Sequence, residues 1–244
     1  MIDQIIIINL KRRPDRRKAM EEHLKNTCSI PFVFFEAIDG KVLNEEAIKN
    51  HGVSTYPHWR KSKTSFPSLK QKAVERYYNR DINKGEIACG LSHYYIWQQI
   101  VDSKYKQVLI LEDDARPIHP LWQSILEMQL AKTEKENLKW DLLYLGRNPL
   151  LPDIGKLTPT IVKPGYSWTS HAYAVSLEGA KKLLSTNYLQ NLIPLDEYLP
   201  VMLGEHPRKD IQELFRKERK LNAFALHPNL FLQDSVGVRS DIEE

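Results

Sequence analysis

The chain has 244 residues, of which 42% are hydrophobic and 27% are charged, a composition typical of a globular protein with its own core. The formal net charge of +4 favours anionic ligands but is too small to indicate nucleic-acid binding by itself. Cys28 and Cys89 are too few for a disulfide framework, no apolar run is long enough to span a membrane, and the N-terminus lacks a signal-peptide pattern. We expect one domain over residues 1–244, in the cytoplasm.

The first predicted elements are a buried strand at Gln4–Leu10 and a helix that begins at Pro14. Six basic residues fall between Lys11 and Lys18, where the strand meets the helix. Backbone N–H groups and cations converge at such a helix N-terminus, which favours an anion. A solvated helix face is also compatible with this pattern. A nucleic-acid patch is disfavoured, because aromatic residues do not alternate with the charges.

A second strand is predicted at Phe32–Ala37, and it is followed by Asp39 and Gly40. An acid at the end of the second strand of a nucleotide-binding sheet can accept hydrogen bonds from a ribose or a base. An Asp-Gly pair is also an ordinary turn, which is the simpler interpretation. The polar stretch 43–81 that follows carries scattered aromatic residues, and we expect a binding loop there.

A helix is predicted over Asn83–Val101, with Ser92 and His93 among its apolar residues. Small side chains such as that of Ser92 allow a ligand or a neighbouring backbone to approach closely. A lone histidine in such surroundings is more often a hydrogen-bonded core residue than a ligand-binding one.

The strongest functional signal lies in Lys106–Arg116. Val108–Leu111 is a short apolar run that predicts a buried parallel strand, and it ends in three acids, Glu112, Asp113 and Asp114. Ligands of open α/β sheets bind outside the carboxyl ends of the strands, and a hard divalent cation would make three adjacent carboxylates favourable there. A solvated acid-rich loop at a helix start is equally compatible with the spacing.

In the second half, strands are predicted at Trp140–Leu145, Ser170–Ser176 and, as the last one, Leu221–Leu226, with helices over 117–140, 177–184 and 210–220. Asp196 and Glu197 lie among apolar residues just after Pro194. A carboxylate with apolar neighbours tends to have a raised pKa and is a candidate general base. A helix N-cap is the alternative interpretation.

Four segments of the first half resemble, in order, the signatures of family 25 glycosyltransferases: INLKRRPDRR, FFEAIDGKVLN, NKGEIACGLSHYYIW and LILEDDARP. The second half is more similar to the galactosyltransferase domain of the procollagen galactosyltransferases than to the bacterial lipooligosaccharide enzymes. That similarity lies in WDLLYLGRNP, YSWTSHAYAVSLEGAKKLL, LIPLDEYLPVML and LNAFALHPNL. The segment 59–81 looks longer, and the tail after Pro228 shorter, than in the collagen enzymes, and we expect an inserted acceptor or lid loop at 54–82.

The resemblance implies a GT-A fold, in which a Rossmann-like, mostly parallel sheet flanked by helices binds a UDP-sugar with manganese. It implies metal ligation by Glu112 and Asp114, with Asp196 as the base and Glu197 as its alternative. The remaining positions implied to lie at the donor or acceptor are Asn9, Arg13, Asp39, Ser92, His93, Asp113, Tyr166, Trp168 and His171.

The implied reaction is inverting transfer of galactose from UDP-galactose to a hydroxyl group, on a collagen-like hydroxylysine or on a glycan. The alternatives are a transferase that uses another UDP-sugar, such as UDP-glucose, and a non-catalytic adhesion or scaffold protein on the same fold. A third alternative, nucleic-acid binding through residues 11–18, would make binding strongly dependent on salt.

Overall fold

A computed structural model describes residues 1–60, 77–217 and 221–234. The strands are β1 (Gln4–Asn9), β2 (Phe32–Glu36), β3 (Gln107–Glu112), β4 (Ala115–Pro117), β5 (Leu142–Pro149), β6 (Gly155–Lys156), β7 (Ile161–Lys163), β8 (Ser167–Ser176), β9 (Ala223–Leu226) and β10 (Phe231–Gln233). The helices are α1 (Pro14–Thr27), α2 (Glu45–Asn50), α3 (Lys84–Ser103), α4 (Trp122–Lys135), α5 (Leu177–Leu184), α6 (Leu195–Leu203) and α7 (Lys209–Leu214), with a 3-10 turn at Leu189–Asn191.

The main sheet has, within the described residues, eight strands in the order β2-β1-β3-β8-β5-β9-β7-β6. Strands β2, β1 and β3 are mutually parallel, and so are β5 and β9, whereas β8 and β7 run antiparallel to their neighbours. Because β6 is antiparallel to β7, six of the eight strands point the same way. The expected mixed α/β architecture with a mostly parallel sheet is therefore confirmed.

Helices cover both faces of this sheet. One apolar cluster packs α3, α5 and α6 against one face, and it includes Val108 and Ile110 of β3. A second cluster packs α1 and α4 against the other face, and it includes Leu109 and Leu111. Since alternate residues of β3 enter different clusters, all four must be apolar, which explains the continuous apolar run instead of an alternating pattern.

The N-terminal half places the end of β1 beside the end of β3. Ile8 of β1 lies opposite Glu112 of β3 in a parallel register, and Asn9 lies opposite Glu36 of β2. The carboxyl ends of these strands therefore share one edge of the sheet. In helix α3, Asn83 and Glu86 form a capping box, which fixes where this helix begins beside the same edge.

Several expected element bounds shift by a few residues, and the expectation that Leu221–Leu226 is the last strand is wrong. The predicted last strand, Leu221–Leu226, is observed as β9, but β10 follows it and pairs antiparallel with β4. A two-stranded ribbon of three-residue strands is too short to show a periodic pattern. Most of the expected insertion at 54–82 lies outside the described residues, since only 54–60 and 77–82 are described. Among the helices that are described, none combines the length and apolarity needed to cross a membrane.

Candidate functional site

An open cleft with about 650 Å³ of empty space lies at the carboxyl ends of β1 and β3. Its walls come from β1, the first turn of α1, the turn after β2, the N-terminal half of α3, the loop after β3, and β10. The cleft lies at the position where open α/β sheets bind ligands. The structure brings Asp39, Ser92, His93 and all three clustered acids together on these walls.

The two aspartates of the acid cluster have different surroundings. Asp113 has both carboxylate oxygens occupied: Oδ1 accepts from Arg16 Nη1 at 2.9 Å, and Oδ2 accepts from Asn9 Nδ2 at 2.7 Å. Asp114 Oδ2 accepts from Arg16 at 3.2 Å and from Gln233 at 3.4 Å. Asp114 Oδ1 is buried and has no hydrogen-bond partner among the described residues. The cluster therefore presents Asp114 Oδ1, rather than Asp113, as its open acceptor.

Burial makes ionisation of the acid cluster unfavourable. Burial and the neighbouring carboxylates of Asp114, Asp196 and Asp113 raise the pKa of Glu112 well above its ordinary value. Burial also raises the pKa of Asp113 and of Asp114, although Arg16 opposes the change at both. Such a cluster favours a cation, because a positive charge stabilises the ionised form of each acid.

The cluster fits a divalent cation as a partial coordination shell. No three His, Cys, Asp or Glu side chains converge into a complete metal site in the part of the chain that is described. Small hard cations are commonly held by one or two protein carboxylates, with substrate phosphates and water as the other ligands. Asp114 with its open oxygen, and Glu112 on the cleft wall, match that pattern.

The expected nucleotide-side residues divide between the cleft and its surroundings. Asn9 supports Asp113 and also donates to the carbonyl of Arg13 at 3.1 Å. The guanidinium of Arg13 pairs with Asp15 at 2.9 Å, and Arg16, one turn later, contacts the acid cluster instead. Asp39 lines the cleft. Its carboxylate accepts hydrogen bonds from Arg12 Nε at 2.8 Å and from the backbone N–H of Lys41 at 3.0 Å. Asp39 is therefore both a turn residue and part of the cleft wall.

Helix α3 supplies the opposite wall. Ser92 donates to the carbonyl of Ala88 at 2.8 Å and accepts from the backbone N–H of Ile38 at 3.0 Å, which joins α3 to the turn after β2. His93 Nδ1 lies 2.7 Å from the hydroxyl of Tyr173, and its Nε2 is buried with no partner among the described residues. Burial lowers the pKa of His93 to about 3, so the ring is neutral. His93 is thus both a core residue and a cleft residue.

Asp196 is connected to the acid cluster through Ser170 of β8. The Ser170 hydroxyl donates to Glu112 Oε1 at 3.4 Å, and the same residue lowers the pKa of Asp196. Burial raises the pKa of Asp196 to about 6, while Ser170 opposes this rise. The N-cap of α6 is Pro194, so Asp196 lies in the first turn and is not the cap residue itself.

Glu197, by contrast, has its carboxylate surrounded by donors. Its oxygens accept from the hydroxyls of Tyr78 at 2.9 Å and Tyr166 at 2.8 Å, and from Trp168 Nε1 at 2.9 Å. His206 Nε2 lies 2.6 Å from Oε2. Burial alone would raise the pKa of Glu197, but these hydrogen bonds, with that of His206 foremost, outweigh it and lower the pKa. Glu197 is a fully buried anion that joins four segments of the chain.

Trp168 and His171, which were expected at the donor or acceptor, make contacts with other side chains and with the backbone of the protein. The indole N–H of Trp168 donates to Tyr166 and to Glu197, and the ring centroid lies 5.1 Å from that of Tyr77. His171 packs against β10, with Nε2 at 3.3 Å from the carbonyl oxygen of Phe231 and Nδ1 at 3.2 Å from Thr169 Oγ1. His171 does not lie on the described cleft wall, and the substrate contacts expected for Trp168 and His171 stay predictions.

Sequence reasoning missed several residues of the site. Arg16 was only one of six basic residues in its segment, and nothing in the local pattern selects it. Gly40 and Gly85 bring the turn after β2 against the first turn of α3 so closely that a Cβ on Gly40 would lie 2.7 Å from the nitrogen of Gly85. Both glycines line the cleft, together with Gln233 of β10. Two glycines 45 positions apart give no sequence signal that they meet.

Comparisons with known proteins relate this chain to one family. Residues 2–148 match the family model described as glycosyltransferase family 25 (LPS biosynthesis protein). "Inactive glycosyltransferase 25 family member 3" of Homo sapiens is 37% identical over 231 residues, which cover 93% of this chain and 36% of that protein. "Procollagen galactosyltransferase 2" of Homo sapiens is 34% identical over 232 residues, which cover 93% and 34%.

This chain therefore spans about a third of the length of these curated relatives. Among solved structures, a glycosyltransferase involved in the glycosylation of the major capsid of PBCV-1 aligns with 100% of this chain and 97% of that chain. The identity is 13% and the TM-score 0.43, a superposition too loose to carry an argument.

Proposed function

The chain belongs to glycosyltransferase family 25, and on that premise we propose that it is a metal-dependent, inverting galactosyltransferase that uses UDP-galactose. The observation that carries the proposal is the buried, unpartnered Oδ1 of Asp114 on the wall of a cleft at the carboxyl ends of β1 and β3. A buried acceptor without a partner costs free energy, and a ligand that completes the site recovers it.

We assign manganese to Glu112 and Asp114. Asp113 is a poorer ligand, because Asn9 and Arg16 already occupy its two oxygens. When bound, the metal would offset the negative charge that develops on the departing diphosphate. The acids of the cluster then have two tasks: Glu112 and Asp114 hold the metal, and Asp113 fixes the end of β1 and the start of α1.

The nucleotide is assigned to the part of the cleft between the turn after β2 and helix α3. There Asp39 offers a carboxylate to ribose or uridine hydroxyl and N–H groups, and Ser92 and His93 form the facing wall. Asn9 acts through Asp113, which it holds at 2.7 Å. Arg13, which pairs with Asp15, is assigned the lesser role of fixing the first turn of α1.

The base is assigned to Asp196. An inverting transfer needs a group that removes the acceptor's proton as the new bond forms, on the side opposite the leaving diphosphate. The raised pKa of Asp196, about 6, suits a base that must be ionised near neutral pH yet able to hold a proton. Glu197 is a poorer candidate, because its oxygens already accept from Tyr78, Tyr166, Trp168 and His206.

Two rival functions have specific support. The same cleft would accept another UDP-sugar such as UDP-glucose, since the contacts assigned to the nucleotide and the metal do not select the sugar. A non-catalytic protein on this fold is favoured by the similarity to a relative named as inactive. Acceptor candidates are a collagen-like hydroxylysine and a glycan hydroxyl.

A donor screen tests these possibilities together. Purified protein is incubated with Mn²⁺ and each of several UDP-sugars, with and without hydroxylysine peptides or glycan acceptors, and UDP release is measured. We expect release to be fastest with UDP-galactose and to stop with EDTA. Faster UDP release from UDP-glucose would identify UDP-glucose as the donor instead of UDP-galactose. UDP binding without release from any donor would identify a non-catalytic protein.

A further inference from the structure

Arg16 is a nearly buried cation on the wall of the cleft. It lies in the first turn of α1, its side chain is 11% exposed, and its Nη1 donates to Asp113 at 2.9 Å and to Asp114 at 3.2 Å. One guanidinium nitrogen thus bridges two neighbouring carboxylates. The family match gives this residue no role, and its place among the acids calls for a physical explanation.

The arrangement puts a resident positive charge where a metal would bind. Asp114 Oδ2 is engaged by Arg16, while Oδ1 of the same carboxylate is the open acceptor. A divalent ion on Oδ1 would share one carboxylate with the guanidinium. Repulsion between two cations at such a separation is strong in a partly buried site, where the effective dielectric constant is far below that of water.

A diphosphate resolves this conflict. Its oxygens can ligate a hard cation and, at the same time, accept hydrogen bonds from a guanidinium, which matches phosphate geometry well. We propose that Arg16 neutralises Asp113 and Asp114 when no ligand is bound and repels a divalent metal until a diphosphate supplies the compensating negative charge. The inference rests on the proposed function in that it takes the cleft as the diphosphate site, and it makes metal and UDP bind cooperatively.

Metal binding measured without any turnover tests the inference. Free Mn²⁺ is quantified by its electron paramagnetic resonance signal during titration of the wild-type protein, of Arg16→Gln and of Arg17→Gln, each with and without UDP. Arg17 is the matched control, because it follows Arg16 directly on the same helix but is exposed. Its guanidinium stacks on Phe34, 4.1 Å from the ring centroid.

Four results are expected. In the wild-type protein, UDP tightens Mn²⁺ binding by at least about tenfold, the size of an ordinary coupling between two ligands. Arg16→Gln binds Mn²⁺ alone at least about tenfold more tightly than the wild-type protein does, since the repelling charge is gone. In that variant, the enhancement by UDP shrinks by the same factor. Arg17→Gln behaves like the wild-type protein.

Several outcomes would overturn the inference. Unchanged or weaker binding of Mn²⁺ alone by Arg16→Gln shows that Arg16 does not repel the metal. If Arg16→Gln does not fold, Arg16→Lys is used instead, and because it keeps the charge it must bind Mn²⁺ alone as weakly as the wild-type protein does. The absence of coupling between UDP and Mn²⁺ in the wild-type protein refutes the inference without any variant. Failure of the proposed function is distinguishable: the donor screen then shows no UDP release, or UDP does not bind, whereas the Mn²⁺-only comparison still tests Arg16.

Discussion

The assignment of the base makes a quantitative prediction about pH. Asp196 acts as a base only when ionised, and burial raises its pKa to about 6. At pH 5, one unit below that value, about a tenth of the molecules carry an ionised Asp196, so kcat/KM falls to about a tenth of its plateau. The rate therefore rises through pH 6 and levels off above pH 7, and the sign is fixed because burial disfavours the charged form.

Substitution supplies the second part of this prediction. Asp196→Asn keeps the shape of the side chain and removes the base, which typically slows transfer by about a hundredfold to ten-thousandfold. The residual rate of this variant should no longer rise through pH 6. Ser170→Ala should move the rise of the transfer rate to higher pH, because Ser170 lowers the pKa of Asp196 in the parent protein. Asp102→Asn, at an exposed carboxylate near the end of α3, is the matched control.

The assay is UDP release from UDP-galactose at saturating Mn²⁺ between pH 5 and pH 9, with UDP-galactose binding measured in parallel by calorimetry. Asp196→Asn is expected to bind the donor normally. An unchanged rate for Asp196→Asn, or a variant whose rate still rises through pH 6, would falsify the assignment. A slow Glu197→Gln beside a normal Asp196→Asn would instead move the base to Glu197, provided that Glu197→Gln is folded at the assay temperature.

Three further predictions concern the metal, the buried anion and the wall of the cleft. Asp114→Asn should abolish Mn²⁺-dependent UDP binding in calorimetry while the circular dichroism spectrum is retained; unchanged affinity would exclude Asp114 as a ligand. Glu197→Gln should lower the free energy of unfolding by about 3–5 kcal/mol in urea, because it breaks a buried, fully hydrogen-bonded charge. Since the pKa of Glu197 is lowered on folding, its contribution is present above its unfolded pKa and lost as the pH falls through the folded pKa. Gly40→Ala should lower the free energy of unfolding by about 1–3 kcal/mol and weaken UDP binding, since a Cβ there meets Gly85 at 2.7 Å. Gly155→Ala, with open space around it, should change neither quantity.

The elements that sequence patterns predict best are those whose environment is uniform along their length. β1 and β3 are covered by helices on both faces, so their central residues, Ile5–Ile8 and Val108–Leu111, are all apolar and the runs stand out. Helix α5 has its predicted bounds, Leu177–Leu184, because its apolar residues recur at helical spacing. The structure adds that Ser176 caps it. The acid cluster could be found for the same reason, since it follows a recognisable buried strand directly.

The residues that sequence patterns do not identify are those selected by three-dimensional position within a uniform segment. Arg13 and Arg16 belong to one basic run and lie one helical turn apart, yet one pairs with Asp15 and the other with the acid cluster. The donors around Glu197 come from positions as distant as Tyr78 and His206, and no local pattern connects them. Apolar neighbours favour a raised pKa at both acids after Pro194, but these donors reverse the direction at Glu197 alone.

The unpartnered oxygen of Asp114 also bears on whether this chain is an active enzyme or a non-catalytic member of its family. Leaving a buried acceptor unsatisfied costs on the order of 1–3 kcal/mol, and Asp114 also adds to the repulsion that raises the pKa of Glu112. Stability alone offers no reason for that cost, whereas a ligand-binding site does. If the carboxylate serves metal binding, Asp114→Asn should be neutral or stabilising in metal-free buffer, and Mn²⁺ with UDP should raise the Tm of the parent protein but not that of the variant. A variant that is destabilised without metal, and a parent that Mn²⁺ with UDP does not stabilise, would together assign Asp114 a structural role.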